Sequence, residues 1–284
     1  MQDTGLKGTD YVLRAFAFAI SDWAQILIGM LPWMVPLIAL DMWPVVDPDG
    51  YYGRVLAKQA TFSASGNYHL GPGIAGWLFL LFVSWFEMAM LAGFAIRRHR
   101  RVLSLVMPMH RSLPAAIGPY VGYWLLTSLI AGFLGVMGVL IISLFARSPV
   151  SGIVPYMIFV LIAAIGMFIL RSVLIFPAIA VGDREMTIRT SFDVTHRSVW
   201  RMAISVVLIA IPLIVVALLV GLVLDKFVPQ VPWWRFVLVV AIFMQVIQFF
   251  GTAVFIAYIS LVYAHKRGGD VPAPPDWDKT PNPA

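Results

Sequence analysis

The chain has 284 residues, no cysteine and a formal net charge of +6; 61% of its residues are hydrophobic and 12% are charged. Typical soluble domains carry about 25% charged residues, so this composition excludes an ordinary soluble protein. The lack of cysteine excludes disulfides and thiolate metal sites. Together with a mean hydropathy of +0.88, the composition predicts an all-α, polytopic membrane protein.

Six apolar stretches are long enough to cross a bilayer as helices, because about 20 helical residues cover a hydrocarbon core of about 30 Å. The predicted spans are residues 23–40, 74–96, 115–145, 153–181, 202–224 and 236–264. We expect the first span to be an uncleaved anchor. Residues 1–265 are predicted to form a single transmembrane domain, and the proline-rich residues 266–284 a disordered cytoplasmic tail.

Basic residues are unevenly distributed between the predicted loops. With the amino terminus in the cytoplasm, 14 of the 20 lysines and arginines lie in cytoplasmic segments and 5 on the other side. This bias predicts that both termini are cytoplasmic. The densest block, RRHRR at residues 97–101, follows the second span, and we expect His99 and His110 to be solvated there. Anionic lipid head groups are the expected partners of this face; a nucleic-acid-binding domain is not predicted.

Three amphipathic segments, residues 9–22, 100–113 and 184–201, each precede a pair of spans. They are predicted to be interfacial helices, which makes a threefold topological repeat the working hypothesis. Pro108 interrupts the second segment and is expected to break it. In the third, Asp193 lies four residues from both Arg189 and Arg197, a spacing that favours ion pairing on a helix surface.

The segment 41–73 is the longest predicted loop on the outer side. Its sequence Asp-Pro-Asp-Gly at residues 47–50 predicts a solvated turn, and the spacing of a calcium loop is missing. Its role is not indicated by the sequence. Trp43, Tyr51 and Tyr52 are expected in the aromatic belt at the membrane surface.

Two ionisable side chains fall well inside the predicted spans, Glu87 and Arg171. Counted from the predicted cytoplasmic ends of their helices, they lie at depths of about 14 and 15 Å. Equal depth and opposite charge predict an intramembrane ion pair that orients the helices. A role in a pore or substrate site, or two charges that do not pair and reach local water, are the alternatives.

Other small or polar residues in the spans are expected to pack against neighbouring helices. Gln245 and Gln248 share one face of the last span, where they are expected to hydrogen-bond a neighbouring helix; a translocation path is the alternative. Small residues allow helix backbones to approach closely, so glycines in the third span predict tight packing; a gating hinge is the alternative. These glycines are Gly118, Gly122, Gly132, Gly135 and Gly138.

Catalytic signatures are missing from the sequence. The five histidines are scattered, and none stands at metal-ligand spacing from an acidic partner. There is no Gly-x-Ser-x-Gly elbow, phosphate loop or dinucleotide fingerprint. We therefore predict no catalytic residue, no metal site and no cofactor.

One region has a more specific pattern. Arg171 is followed by Pro177, by an acidic turn at residues 183–185, and by a helix containing Ser191, Thr195 and Trp200. Residues 171–201 resemble the membrane domain attached to some bacterial glycerophosphoryl diester phosphodiesterases, and related inner-membrane proteins of unknown function. The phosphodiesterase catalytic domain is absent, so the resemblance implies a bacterial inner (plasma) membrane module without that activity. In the same region we predict an interfacial motif of Arg189, Asp193, Thr195, Arg197 and Trp200, in which Arg189-Thr190 stands where the related proteins usually have Ala-Leu.

These observations favour a non-enzymatic integral inner-membrane protein that organises lipids or partner proteins. The alternative is a transporter or channel for a small solute or ion, for which Glu87, Arg171 and the two glutamines are the candidate residues. A membrane enzyme acting on lipids has least support. The expected partners are membrane lipids and a membrane protein.

Overall fold

The computed structural model describes residues 8–65, 73–108, 111–146, 153–226 and 233–268. In this part of the chain 88% of the residues are helical and none forms a strand, which confirms the all-α class. The helices are α1 (Gly8–Ser21), α2 (Trp23–Val46), α3 (Tyr51–Ser65), α4 (Gly73–Leu103), α5 (Leu113–Ala146), α6 (Val154–Ser172), α7 (Ile175–Val181), α8 (Ile188–Thr195), α9 (Val199–Asp225) and α10 (Trp233–Lys266).

Six helical segments of the described chain are long and apolar enough to cross a membrane, so the predicted number of spans is confirmed. Some of their ends differ from the predicted ends. The clearest case is α4, which continues through the basic block. The segments are Trp23–Val46, Gly73–Leu103, Leu113–Gly138, Val154–Val181, Val199–Val223 and Arg235–Lys266.

The amphipathic segments have three different outcomes. Segment 9–22 forms α1, and segment 184–201 forms α8, a turn and the start of α9. The prediction for 100–113 is wrong: α4 ends at Leu103, a turn follows, and Pro108, which cannot donate a backbone hydrogen bond, is not helical. Residues 109–110, including His110, lie outside the described residues. The threefold repeat is therefore not shown.

The chain divides into two compact units. The first comprises Met1–Ser21, Ala95–Leu208 and Val254–Ala284, and the second comprises Asp22–Phe94 and Ile209–Ala253. That residues 1–265 act as one domain stays a prediction. The predicted tail from residue 269 onward lies outside the described residues.

The predicted fourth span is interrupted. Helix α6 ends at Ser172, and after a turn at residues 173–174 the chain continues as α7. Pro177 explains the break, because its ring lacks the N–H that would bond the carbonyl of Val173. All of α7 except Phe176 is buried, and α7 packs against α5.

The outer loop contains a helix that was not predicted. The turn at residues 47–50 is confirmed, with the Gly50 N–H donating to the Asp47 carbonyl at 3.1 Å. Helix α3 begins at Tyr51 immediately after this turn and packs against α2. The Tyr52 ring contacts Trp43 edge-on, with ring centroids 6.4 Å apart.

Candidate functional site

The basic block at residues 97–101 is only partly exposed. Arg97 and Arg101 face outward, whereas Arg98 is 5% exposed and His99 is 1% exposed. The prediction that His99 is solvated is therefore wrong. As part of α4, the block alternates between outward and inward faces, and the inward side chains are covered by other helices of the first unit.

Two arginines of the block bind the ends of other helices. The Arg98 Nη2 group donates to the Phe18 carbonyl in the last turn of α1 at 2.8 Å. The Arg100 Nε group donates to the Ala180 carbonyl near the end of α7, also at 2.8 Å. Carbonyls in a last helical turn lack intrahelical partners and carry the negative end of the helix dipole, so guanidinium groups stabilise them.

A buried chain of hydrogen bonds connects α4, α5 and α10 through His99. The Ser260 hydroxyl donates to the Ile256 carbonyl at 2.8 Å, so its oxygen accepts from His99 Nδ1, also at 2.8 Å. The other ring nitrogen, Nε2, then accepts from the Tyr120 hydroxyl at 3.3 Å. The imidazole is thereby assigned as the neutral Nδ1–H tautomer, with every ring nitrogen satisfied.

A pocket of about 630 Å³ lies beside this network, where the residues after α4 meet the ends of α7 and α10. We call it the arginine pocket, because three guanidinium groups line it together with two carboxylates and a tyrosine. The polar residues that define it are Arg111, Asp183, Arg184, Glu185, Tyr263 and Arg267. Met107, Pro108 and Val181 add an apolar wall.

Both carboxylates of the arginine pocket are bound by Arg267. Arg267 Nε lies 3.1 Å from Asp183 Oδ2, and Arg267 Nη2 lies 2.8 Å from Glu185 Oε2. Tyr263 donates to Asp183 Oδ2 at 2.5 Å, and the Glu185 N–H donates to Asp183 Oδ1 at 2.9 Å. The hydrogen bond to Glu185, assisted by the Asp183 charge, raises the pKa of Arg267 above its ordinary value, so this guanidinium stays protonated.

The other two arginines of the pocket have free donors among the described residues. No described side chain forms an ion pair or hydrogen bond with the guanidinium group of Arg111 or Arg184. The Arg111 backbone is held in place, since its carbonyl accepts from Arg100 Nη2 at 2.5 Å. Guanidinium groups with free donors, next to carboxylates that Arg267 already binds, are suited to binding an anion.

Arg171 lies at the end of α6, beside α8. Its guanidinium donates to His196 Nδ1 and lies 5.4 Å from the centroid of the Phe192 ring, while its carbonyl accepts from the Ser191 hydroxyl at 2.5 Å. The predicted depth of Arg171 assumed an unbroken helix to Val181, which the turn at residues 173–174 contradicts. Arg171 thus contacts a segment that was predicted to be interfacial.

The predicted intramembrane residues Glu87 and Arg171 belong to different units of the described structure. Glu87 is half-buried on α4 in the second unit, whereas Arg171 belongs to the first unit. Their pairing stays a prediction. On α10, Gln245 is buried and Gln248 is exposed, so the two glutamines occupy different environments.

The interfacial motif is bound to α6 through Ser191, whose hydroxyl donates to the Arg171 carbonyl. Thr195 is completely buried, and its hydroxyl donates to the Ser191 carbonyl at 2.7 Å. Arg189, Arg197 and Trp200 are exposed, as is Asp193 between the two arginines. The buried face of α8 is therefore polar and small, and its exposed surface carries the charge.

Close backbone packing occurs at fewer glycines than predicted. A Cβ atom added at Gly118, Gly122 or Gly132 would have no described atom within 4 Å. At Gly138 it would lie 2.4 Å from the Leu161 side chain, which confirms tight packing there. The closest contact with a ring is in the second unit, where a Cβ at Gly93 would lie 2.5 Å from Trp33.

The described residues do not indicate a metal site. They contain no group of three or more histidine, aspartate or glutamate side chains that could hold a metal ion. Comparisons with protein-family models, with curated proteins and with solved structures gave no match. The resemblance of residues 171–201 to the phosphodiesterase membrane domain stays a prediction.

Proposed function

We propose that this protein is a non-enzymatic integral membrane protein of the bacterial inner (plasma) membrane that organises anionic lipids on its cytoplasmic face. The proposal also accommodates a membrane-protein partner bound at that face. One observation carries it, the exposed surface formed by Arg189, Arg197, Trp200 and Arg201, which we call the basic α8–α9 surface.

The composition of this surface suits a membrane interface. Trp200 is 66% exposed between exposed arginines, and tryptophan and arginine are the side chains that anchor helices at lipid head groups. The surface is held from its buried side, because the Ser191 hydroxyl of α8 donates to the Arg171 carbonyl of α6. Each basic residue near an anionic membrane contributes about 1 kcal/mol of attraction.

The test compares two pairs of basic residues with the same spacing. In Arg197→Gln/Arg201→Gln the basic α8–α9 surface loses two charges; Arg54→Gln/Lys58→Gln on α3 is the matched control. Each protein is extracted into native lipid nanodiscs, and the lipids and proteins that accompany it are quantified by mass spectrometry. We expect anionic lipids to be enriched over the bulk membrane, and at least half of that enrichment to be lost only in Arg197→Gln/Arg201→Gln.

Equal enrichment in both variants and the unmodified protein would contradict the proposal. The same holds if the unmodified protein carries lipids in their bulk ratio and no stoichiometric protein partner. Ion or solute flux across reconstituted vesicles would then favour the transporter alternative, for which Gln245 and Glu87 are the residues to substitute.

A further inference from the structure

The arginine pocket is a candidate binding site distinct from the basic α8–α9 surface. Its volume of about 630 Å³ is within the range of small-molecule sites in proteins. Its walls come from the turn after α4, the end of α7 and the end of α10, which the Arg100 and Arg267 contacts hold together. The pocket is therefore built by contacts between segments that are far apart in the sequence.

Its charge indicates the kind of ligand. Three guanidinium groups face two carboxylates, so the pocket carries one net positive charge. Arg267 is committed to Asp183 and Glu185, and both Asp183 oxygens already accept hydrogen bonds. The attraction for an anion thus comes from Arg111 and Arg184, whose donors are available among the described residues.

We propose that the arginine pocket binds a phosphate group through Arg111 and Arg184. The planar guanidinium group donates two parallel hydrogen bonds to phosphate oxygens, a geometry that an ammonium group does not offer. A phosphodiester has a single charge, which matches the net charge of the pocket, and the head groups of membrane phospholipids are phosphodiesters. Inorganic phosphate is the soluble source of the same chemistry.

The apolar wall of the pocket favours the lipid source. Met107, Pro108 and Val181 lie beside the charged residues, at the ends of helices that are long enough to cross the membrane. A lipid can place its phosphate on the arginines and its glycerol and first methylenes against this wall. That the phosphate belongs to a lipid rests on the proposed lipid-organising function. Whether the pocket binds phosphate at all is measured independently of that function.

The experiment titrates the full chain in dodecyl maltoside, which contains no phosphate. One arm adds phosphatidylglycerol, a second adds inorganic phosphate, and a third adds diacylglycerol, which lacks phosphate; binding is followed by native mass spectrometry and thermal shift. We expect one saturable phosphatidylglycerol per chain, displaced by inorganic phosphate at millimolar concentration, and no saturable binding of diacylglycerol. In Arg111→Gln/Arg184→Gln the dissociation constant should rise at least tenfold, and in Arg54→Gln/Lys58→Gln it should change less than twofold.

Unchanged phosphatidylglycerol affinity in the pocket variant, or equal binding of diacylglycerol, would overturn the proposal. Pocket-dependent binding of inorganic phosphate without phosphatidylglycerol would support the phosphate site and overturn its lipid source. Should the double variant fail to fold, Arg184→Gln alone serves, because this exposed side chain is not involved in the backbone anchor at Arg111; at least a threefold loss is expected. Lipid enrichment in Arg197→Gln/Arg201→Gln is scored independently, so either proposal can fail alone.

Discussion

Among individual residues, His99 has the most constrained surroundings. Its two ring nitrogens are satisfied by Tyr120 and Ser260, and all three side chains are at most 5% exposed. Water cannot replace a missing partner at such a site, so the loss of one group leaves another unsatisfied in a medium of low polarity. The network therefore connects three helices, and each group donates to the next, from Tyr120 through His99 to Ser260.

We predict that Tyr120→Phe lowers the free energy of unfolding. The substitution removes the hydroxyl that donates to His99 Nε2, and interhelical hydrogen bonds in membrane proteins contribute about 0.6 kcal/mol on average and about 1.7 kcal/mol at most. Unfolding of the purified protein by dodecyl sulfate in mixed micelles measures the change. Tyr123→Phe, on the same helix and only half-buried, is the control; an equal loss there would show that the His99 contact contributes nothing specific.

Part of this network could have been predicted from the sequence. Tyr120 and Ser260 are polar residues in mostly apolar predicted spans, and such residues require a partner in lipid. The burial of His99 was not predictable, because residues 97–101 have the composition of a solvated, orienting block. Which of its side chains faces inward depends on the helices that pack around the end of α4, and this is information from tertiary structure.

At the scale of helices, some glycines lie at close contacts between helices and others lie on open surface. In the second unit the Trp33 ring of α2 occupies the space that a side chain at Gly93 of α4 would need. Gly122 on α5 faces no described atom within 4 Å. A repeat of small residues in a sequence indicates where close approach is permitted, but the partner helix determines where it occurs, which is why Gly118 and Gly122 were wrongly expected to pack.

Gly93→Ala should destabilise the protein by about 1–3 kcal/mol, the usual cost of overpacking. A methyl group at this position would lie 2.5 Å from the Trp33 ring, so the indole must move. Gly122→Ala is the matched control, and it should be neutral or stabilise its helix by up to about 1 kcal/mol. The same dodecyl sulfate titration gives both values; the packing argument fails if Gly93→Ala is as well tolerated as Gly122→Ala.

At the scale of the whole molecule, contacts within the first unit bring the ends of several spans together. The ends of α4, α7 and α10 meet through Arg100, Asp183 and Arg267, as helices of alternating direction require. Hydropathy was sufficient to predict the six spans, because lipid demands about 20 apolar residues for each crossing. The division into two compact units was not predictable, since it depends on which spans contact each other.

The predicted orientation can be tested with single cysteines, because the chain contains none. Leu105→Cys reports on the turn after α4, where Leu105 is 57% exposed, and Lys58→Cys reports on the exposed side of α3. In intact cells a membrane-impermeant maleimide should label Lys58→Cys directly and Leu105→Cys only after permeabilisation. The reverse pattern would place both termini on the outer side.

The turn between α6 and α7 also has a consequence for how the fourth span fits a bilayer. As one continuous helix, the 28 residues from Val154 to Val181 would measure about 42 Å, well beyond a hydrocarbon thickness of about 30 Å. The 19 residues of α6 measure about 28 Å, so the break matches the helix to the membrane without a steep tilt. Residues 175–181 are then surplus length, and their burial within the protein keeps the interrupted backbone away from lipid.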